Sequence, residues 1–496
     1  MQKNNSGDGC HSALKIENIG TGVENELLMN DKKEESEKQF FSSTSSDMKK
    51  PVDKYYIVYL IFLVHGVAVL MPWNMFINAN DYFTKFKLKS PDVAESYNFS
   101  ENSTTSANLI TTPRTDTAVD TYRTFFLNFL GVVSQVPNVF INLMNVLSQR
   151  KSSKSGNNHL RIVLSLIMIT LLFIITIILA MVDSTTWQSE FFWITMVTVV
   201  VMNLASGLYQ NCVYGLAALL PMRYSNSVLI GTSISGIITA LLNLLTQYLS
   251  PNPRTAAIFY FLAAIFVLLI AFDTYFLVQL LPFFNYYHDL SSKGTEMVEK
   301  SEKSEKVEEK VSSWPPYFKV LKQCWRHCLG VYLVYFVSLS CFPALQSSIE
   351  RSSDSFWISK KYYVSIACFL IFNLCAGLGN LSTEFFRWPK PKFVLIPIIM
   401  RIAFIPFFMF CNARPDGIRS SNMPLLFNND YVYIIGSILL SYTSGYFASL
   451  SMMYAPRNVE VQHKGLAGMM AAFFLILGIF SGVLCSFPLL YIVKNV

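Results

Sequence analysis

Polar side chains inside long apolar runs are where chemistry is to be sought in this sequence, because each is costly at bilayer depth without a partner or a task. Gln210, in Ser206-Gly207-Leu208-Tyr209-Gln210-Asn211, carries an amide with two donors and a two-lone-pair acceptor. Such a group can hold the edge of a heterocyclic base or bridge two helices. Gln135, Asn138 and Asn373 offer the same chemistry. Trp73 lies between Pro72 and Asn74 near the end of the first run; its indole is either an interfacial anchor or a stacking plate for a planar ligand. Pro72 removes a backbone donor and frees a carbonyl, so a kink is expected there, with the polar Asn74 placed to resatisfy the backbone. Arg401, in the middle of a run, needs a carbonyl cluster, a carboxylate or water, and Asp273 is the acid at comparable depth. Pinning its half of the molecule is the simplest task for Arg401. His65 can titrate and couple protons, or sit neutral in the core.

Nothing in the chain reads as an enzyme. It holds no GxxxxGK[ST], no HExxH and no nucleophile elbow. Gly231 and Gly236 are not followed by a lysine that would cradle phosphate, and Gly478 and Gly482 form a GxxxG pair; close helix packing is the better reading of all four. Cys212, Cys341, Cys368, Cys375, Cys411 and Cys485 fall inside apolar runs, as small packing residues do. Neither a metal nor a cofactor is expected. Without an ATP site, any transport runs on the substrate's own gradient or on a coupled ion.

The elements that must position these residues follow from composition. Of 496 residues, 52% are hydrophobic and 14% charged, against about 25% charged in soluble domains. Lys and Arg total 39 and Asp and Glu 32, and 30 of these charges fall in residues 1–54 and 289–310. The rest is an all-α polytopic membrane protein. Runs long enough to span lie near 55–79, 122–147, 160–182, 190–220, 226–249, 255–282, 318–345, 359–386, 392–411, 430–454 and 465–493, eleven in all. Arg150, Lys151, Lys154, Arg161, Arg223, Arg387, Lys390, Lys392, Arg457 and Lys464 sit in alternate loops, which makes that side and the N-terminus cytoplasmic and leaves the C-terminus outside. The net charge of +7 is therefore a topology signal and not a nucleic-acid surface. Asn98 and Asn102 head two glycosylation sequons in the loop 80–121, on the side expected to be outside. The organisation expected is a disordered tail 1–54, six helices in 55–284, a charged cytoplasmic linker 285–317 and five helices in 318–496. The plasma membrane is the default address. Glu24-Asn25-Glu26-Leu27-Leu28 resembles an acidic dileucine signal and would imply an endosomal or lysosomal one.

Several stretches resemble the signatures of equilibrative nucleoside transporters. They are Pro72-Trp73-Asn74-Met75-Phe76, Tyr209-Gln210 with Gly215-Leu216-Ala217, Phe369-Leu370-Ile371-Phe372-Asn373, and Arg401 with Phe404, Pro406 and Cys411-Asn412. Gly445-Tyr446-Phe447-Ala448-Ser449-Leu450 and Met469-Met470-Ala471-Ala472-Phe473-Phe474 complete the set. The resemblance runs from about residue 55 to the C-terminus. It implies a 6+5 helical fold similar to the major facilitator type, with a central cavity opening alternately to either side and passing nucleosides down their gradient. By motif position, Trp73 would stack on the base and Gln210 would bond its edge. Leu70, Ile77, Phe342, Phe369 and Ile479 would line the cavity, with Ser206 beside Gln210 and Asn373 facing in from span eight.

One departure bears on the substrate. The family's span-eight pattern continues into an Asp-x-x-x-Arg element that holds the ribose, whereas here Ala376 replaces the acid and Asn380 the base. Removing one partner of a buried ion pair costs about 3–5 kcal/mol, while removing both can be nearly neutral, so the fold should tolerate the change. Gln135 and Asn138 stand where the family has apolar cavity residues and are candidates to replace the lost hydrogen bonds. A free nucleobase is the other substrate open at this point. A carrier for organic cations or monoamines, and a transport-deficient relative acting as receptor or regulator, are the competing readings.

Overall fold

The structure is a computed structural model that describes residues 51–79, 82–88, 119, 122–123, 126–148, 156–249, 253–292, 316–353 and 355–495. The sequons at Asn98 and Asn102, the tail 1–50 and the linker core 293–315 lie outside the described residues.

Among the described residues eleven helical rods follow one another. They are α1 (Ile57–Asn78), α2 (Phe126–Ser148), α3 (Gly156–Met181), α4 (Gln188–Leu219), α5 (Met222–Leu249), α6 (Pro253–Leu280) and α7 (Pro316–Cys341). Next comes α8, which starts as a π-helical stretch (Val364–Leu370) and continues as Ile371–Phe385. The ninth rod, α9, is broken into Leu395–Met400 and Phe404–Met409 by a 3-10 turn at Arg401–Ala403. Last are α10 (Asp430–Tyr454) and α11 (Lys464–Asn495). Nine helices among the described residues are long and apolar enough to cross a membrane. The shortfall against eleven falls on α9, whose pieces are short, and on α10, where Ser437, Ser441, Ser444, Ser449 and Ser451 dilute the apolar residues. All five of those serines are buried, so α10 keeps its polar side against protein and not lipid. Instead of breaking at Pro72, α1 runs through it as one continuous helix.

Small residues set which rods touch. A Cβ on Gly66 or Gly231 would collide with the backbone carbonyl of Val228 or Leu63, so α1 and α5 pack backbone to backbone. Gly478 and Gly482 do the same for α11 against Tyr332 and Phe336 of α7, and Gly379 and Gly445 for α8 against α10. Gly207 of α4 is filled by Asn138, Ile141 and Asn142 of α2. The tight pairs are thus α1–α5 and α2–α4 among the first six helices, and α7–α11 and α8–α10 among the last five. One pairing pattern occurs twice. The two groups then meet through α5–α8, α4–α11 and α2–α11.

Three polar anchors hold the ends. Asp53 accepts from Val58 N, Tyr59 N and the Tyr224 hydroxyl at 2.9–3.2 Å, capping α1 and tying it to the start of α5. Lys87 donates to the Leu179 and Val182 carbonyls at 3.0 and 2.5 Å, satisfying orphan acceptors at the end of α3. Asp430 accepts from Ser352 N, Ser353 N and the Tyr363 hydroxyl, fastening the α7–α8 connection to α10.

Candidate functional site

The site begins on α1. Leu70, Trp73, Asn74 and Ile77 recur at i, i+3, i+4 and i+7, one helical face, and all four are partly exposed while Met71, Pro72, Met75 and Phe76 are buried. Among the described residues no aromatic ring stacks on Trp73 and no acceptor meets its indole N–H; the plate is free. Next to it, Asn74 Nδ2 donates to Ser235 Oγ on α5 at 3.3 Å, and the Tyr260 hydroxyl donates to the Asn74 carbonyl at 3.4 Å. Gly236, the residue after Ser235, is filled by the side chain of Asn373 on α8. Asn74, Ser235, Gly236 and Asn373 therefore stand at one level of the bundle and bring α1, α5 and α8 together there. Asn373 Nδ2 donates to the Phe369 carbonyl one turn back at 3.0 Å.

The apolar side of this level is aromatic. Phe342, just past the end of α7, stacks on Phe372 at 3.9 Å between centroids and meets Phe369 edge-on at 5.5 Å. Phe372 is a partner that the sequence reading passes over. Ile479 lies half-buried on α11 and packs against the main core.

A polar wall forms on α2 and α4. Gln135, Asn138, Asn142 and Asn145 repeat at the spacing of one helix face and are all buried. Asn142 Nδ2 donates to Asn138 Oδ1 at 2.8 Å, and Asn211 Nδ2 donates to Asn142 Oδ1 at 2.9 Å and to the Met469 carbonyl at 3.0 Å. Asn145 Nδ2 donates to Asn211 Oδ1 at 2.5 Å, and Arg161 Nη1 to Asn145 Oδ1 at 2.6 Å. This amide ladder joins α2, α3, α4 and α11, and Asn138 is committed to it through its acceptor oxygen. Above the ladder the pairing stops. Gln135 Oε1 and Ser206 Oγ, on residues 3% and 7% exposed, have no hydrogen-bond partner. Gln210, itself buried, makes no side-chain hydrogen bond among the described residues. The register fixed by Asn142–Asn211 and Gly207–Asn138 puts Gln135 and Ser206 within a turn of each other. Buried polar atoms are nearly always paired, so three unpaired groups together mark a place made for something else to bond. His65 Nδ1 lies 2.7 Å from the Tyr209 hydroxyl, locking α1 to α4 beside Gln210.

The departed positions on α8 are occupied structurally. Ala376 presents its carbonyl to Gly445 of α10. Asn380 Nδ2 donates to the Leu229 carbonyl at 3.1 Å and to Ser233 Oγ at 2.8 Å, and its Oδ1 accepts from Ser449 Oγ at 2.8 Å. Asn226 Nδ2 adds bonds to the Asn380 carbonyl at 3.2 Å and to Glu384 Oε1 at 2.7 Å. Asn380 is a tie between α5, α8 and α10, with both amide donors spent and its oxygen already accepting from Ser449. Arg401 is equally occupied. Its guanidinium donates to the Val334 and Leu440 carbonyls at 3.0 and 3.2 Å, to Ser338 Oγ at 2.7 Å and to Thr443 Oγ1 at 3.1 Å. These acceptors lie on α7 and α10, so it pins α9 to them; Asp273 on α6 is not among its partners. No cluster of three His, Cys, Asp or Glu side chains suited to a metal occurs among the described residues.

Comparison with known proteins agrees with this architecture. Residues 196–491 match the family described as nucleoside transporter. The chain is 30% identical over 471 residues to equilibrative nucleoside transporter 2 of Rattus norvegicus and to that of Homo sapiens, covering 88% of this chain and 97% of each relative. It is 29% identical over 462 residues to equilibrative nucleoside transporter 1 of Rattus norvegicus, covering 89% of this chain and 98% of that relative. In fold it is similar to the crystal structure of the human organic anion transporter MFSD10 (TETRAN), with a TM-score of 0.50 at 12% identity over 88% of this chain and 95% of the other. A multi-pass helical bundle similar to the major facilitator type, matched along nearly the whole length of these relatives, is what the sequence encodes: the chain belongs to the equilibrative nucleoside transporter family.

Proposed function

We propose that this protein is a facilitative carrier that moves nucleosides across a membrane by alternating access, binding them between its 55–284 and 318–496 halves, which the cytoplasmic linker 285–317 joins. One observation carries the reading. No ring stacks on the Trp73 indole among the described residues, the buried Gln135 Oε1 and Ser206 Oγ lack hydrogen-bond partners, and the buried Gln210 makes no side-chain hydrogen bond there. A planar base bearing a hydroxylated sugar supplies a ring for the plate and donors for the wall. Trp73 stacks on the base and Gln210 reads its edge. Leu70, Ile77, Phe342, Phe369 and Ile479 form the apolar lining, with Asn373 at the α5–α8 seam. Because the Asn380 donors are spent on Leu229 and Ser233 and its oxygen accepts from Ser449, the sugar hydroxyls fall to Gln135 and Ser206 and not to α8. Pro72, Asn74 and Arg401 hold the frame. The carrier performs no chemistry on its substrate and works in the plasma membrane with its N-terminus cytoplasmic and its C-terminus outside.

Uptake of labelled adenosine, uridine and hypoxanthine into proteoliposomes tests the proposal. Saturable nucleoside flux is expected, and no saturable flux of any of the three rejects it. The double change Ala376→Asp with Asn380→Arg, run alongside, is expected to raise affinity for nucleosides over hypoxanthine. A carboxylate–hydroxyl bond is worth roughly 1.5–3 kcal/mol, or on the order of 10- to 100-fold. Unchanged or lower affinity would mean that an Asp–Arg pair at positions 376 and 380 cannot hold the ribose in this frame.

A further inference from the structure

A cavity of about 660 Å³ opens at the end of the bundle where α1 and α5 begin and α8 finishes, lined by Tyr55, Tyr56, Tyr59, Leu60, Arg223, Leu381, Glu384, Phe385 and Arg387. Its lining residues on α1 lie roughly four to five helical turns from Trp73, so it is separate from the site above. Its chemistry is that of a cationic head with an apolar track. The Arg223 guanidinium lies over the rings of Tyr56 and Tyr59, 4.8 and 5.2 Å from their centroids, and its Nε is buried without a hydrogen-bond partner. Arg387 uses Nε on the Thr383 carbonyl at 3.1 Å and stands 4.0 Å from Glu384. Glu384 in turn accepts from Asn226 at 2.7 Å, so the one carboxylate of the cavity is already engaged and its two guanidiniums give it a net positive charge.

The apolar part is continuous with the outside of the bundle. Leu374, Leu378, Leu381 and Phe385 lie on one face of α8, spaced by four, three and four residues, and all are exposed. In a bilayer this stripe faces acyl chains, and its last two members form a wall of the cavity. Exposed Tyr55, Phe386 and Trp388 surround the same end, as aromatic residues do at the headgroup level. Tyr55 and Tyr56 are held at φ of 56° and 55°, a left-handed conformation that non-glycine residues adopt only where the surroundings impose it and that concentrates at ligand clamps. Lys54, Lys390 and Lys392 extend the positive charge around the rim, and this basic end is the one the loop charges assign to the cytoplasm, whose leaflet is rich in anionic lipid.

We propose that this cavity seats one anionic phospholipid, its phosphate bonded by Arg223 and Arg387 and an acyl chain lying along Leu381, Leu378 and Leu374. Because α1 and α5 supply one side and α8 the other, the bound lipid bridges the two groups of helices. The inference depends on the membrane orientation proposed above but not on the substrate.

Native mass spectrometry of the full chain in detergent tests it, by titration with dioctanoyl phosphatidic acid, dioctanoyl phosphatidylcholine or inorganic phosphate. One phosphatidic acid is expected to bind saturably and in preference to phosphatidylcholine. The Arg223→Gln, Arg387→Gln double change should weaken that binding on the order of 30-fold, since each basic residue near anionic lipid contributes about a factor of five. Leu381→Glu, which places a carboxylate in the wall at an exposed position and leaves both arginines in place, should weaken it comparably. Lys390→Gln with Lys392→Gln, on the rim but outside the cavity, should change it less than fivefold. Equal binding of the two lipids, a phosphate adduct that blocks phosphatidic acid, or undiminished binding in both Leu381→Glu and the double arginine variant would each overturn the proposal.

Discussion

Asn380 offers a direct measure of how the two groups of helices are held together. Its side chain makes two bonds to α5, through the Leu229 carbonyl and Ser233 Oγ, and one to α10, through Ser449 Oγ. Hydrogen bonds between membrane helices are worth about 0.6 kcal/mol each on average. Asn380→Ala therefore removes about 1.8 kcal/mol in total, of which about 1.2 kcal/mol crosses the α5–α8 seam. If the halves part at this seam during transport, the α5 bonds exist in only one of the two states, whereas the Ser449 bond, internal to the second half, exists in both. Asn380→Ala should then move the equilibrium between the two empty states by about 7-fold, and Ser449→Ala should leave it in place while costing about 0.6 kcal/mol of stability.

The assay is uridine influx and efflux in oriented proteoliposomes. A passive carrier must keep Vmax/KM equal in the two directions, but a shift between its empty states changes the ratio of the two KM values. The expected result is a several-fold change in that ratio for Asn380→Ala, none for Ser449→Ala, and a lower melting temperature in both. A ratio that moves as far in Ser449→Ala as in Asn380→Ala, or that stays fixed in both, refutes the assignment of the seam as the moving contact.

Three further outcomes follow from single contacts. Trp73→Ala should raise the KM for nucleosides by about 5- to 150-fold with expression unchanged, and Trp73→Phe should recover part of the loss, since base–aromatic stacking is worth about 1–3 kcal/mol; uptake kinetics read both. Gly379→Ala, whose new methyl meets the Tyr442 carbonyl of α10, should collapse the yield of monodisperse protein on size exclusion, while Gly417→Ala, with open space around it, should cost only the strain of its positive φ. Burial opposes ionisation of Glu460, but Lys319 at 3.1 Å and the neighbouring His463 and Gln462 outweigh it and hold the carboxyl below its usual range. A lowered carboxyl pKa stabilises the fold above the unfolded value and loses that contribution as pH falls through the folded one. Lys319→Ala should therefore flatten the acid limb of a melting-temperature profile below about pH 4.5, with a loss under about 1 kcal/mol at neutral pH because the pair is partly exposed.

How much of this was legible in the sequence depends on whether depth or direction decides. Eleven rods, the spacing of Gly478 and Gly482, and a buried Arg401 in need of acceptors all follow from position along an apolar run, because burial in lipid acts on each residue by itself. The acceptors of Arg401 could not be read, since Val334, Ser338, Leu440 and Thr443 come from two other helices whose rotation no local pattern fixes. The same limit explains Asn380. Its substitution for a base is visible in the chain, but its bonds to Leu229, Ser233 and Ser449 require the azimuth of α8 against α5 and α10. The amide ladder is an intermediate case: Gln135, Asn138, Asn142 and Asn145 announce one polar face by spacing alone, yet only the packing shows that it runs down to Arg161 and that its pairing ends at Gln135.

That ending is what separates structure from function along α2. From Asn138 to Arg161 the amides bond one another across α2, α3 and α4, and a connected polar network rigidifies the helices it joins. One turn above Asn138, toward the level of Trp73, Gln135 Oε1 and Ser206 Oγ are equally buried and bond nothing in the protein. An unsatisfied buried acceptor costs about 1–3 kcal/mol, a cost the fold would shed by placing Leu or Ala at either position. Carrying two such atoms beside Gln210, at the top of a ladder whose amides bond one another, makes sense for a surface completed by a solute that comes and goes.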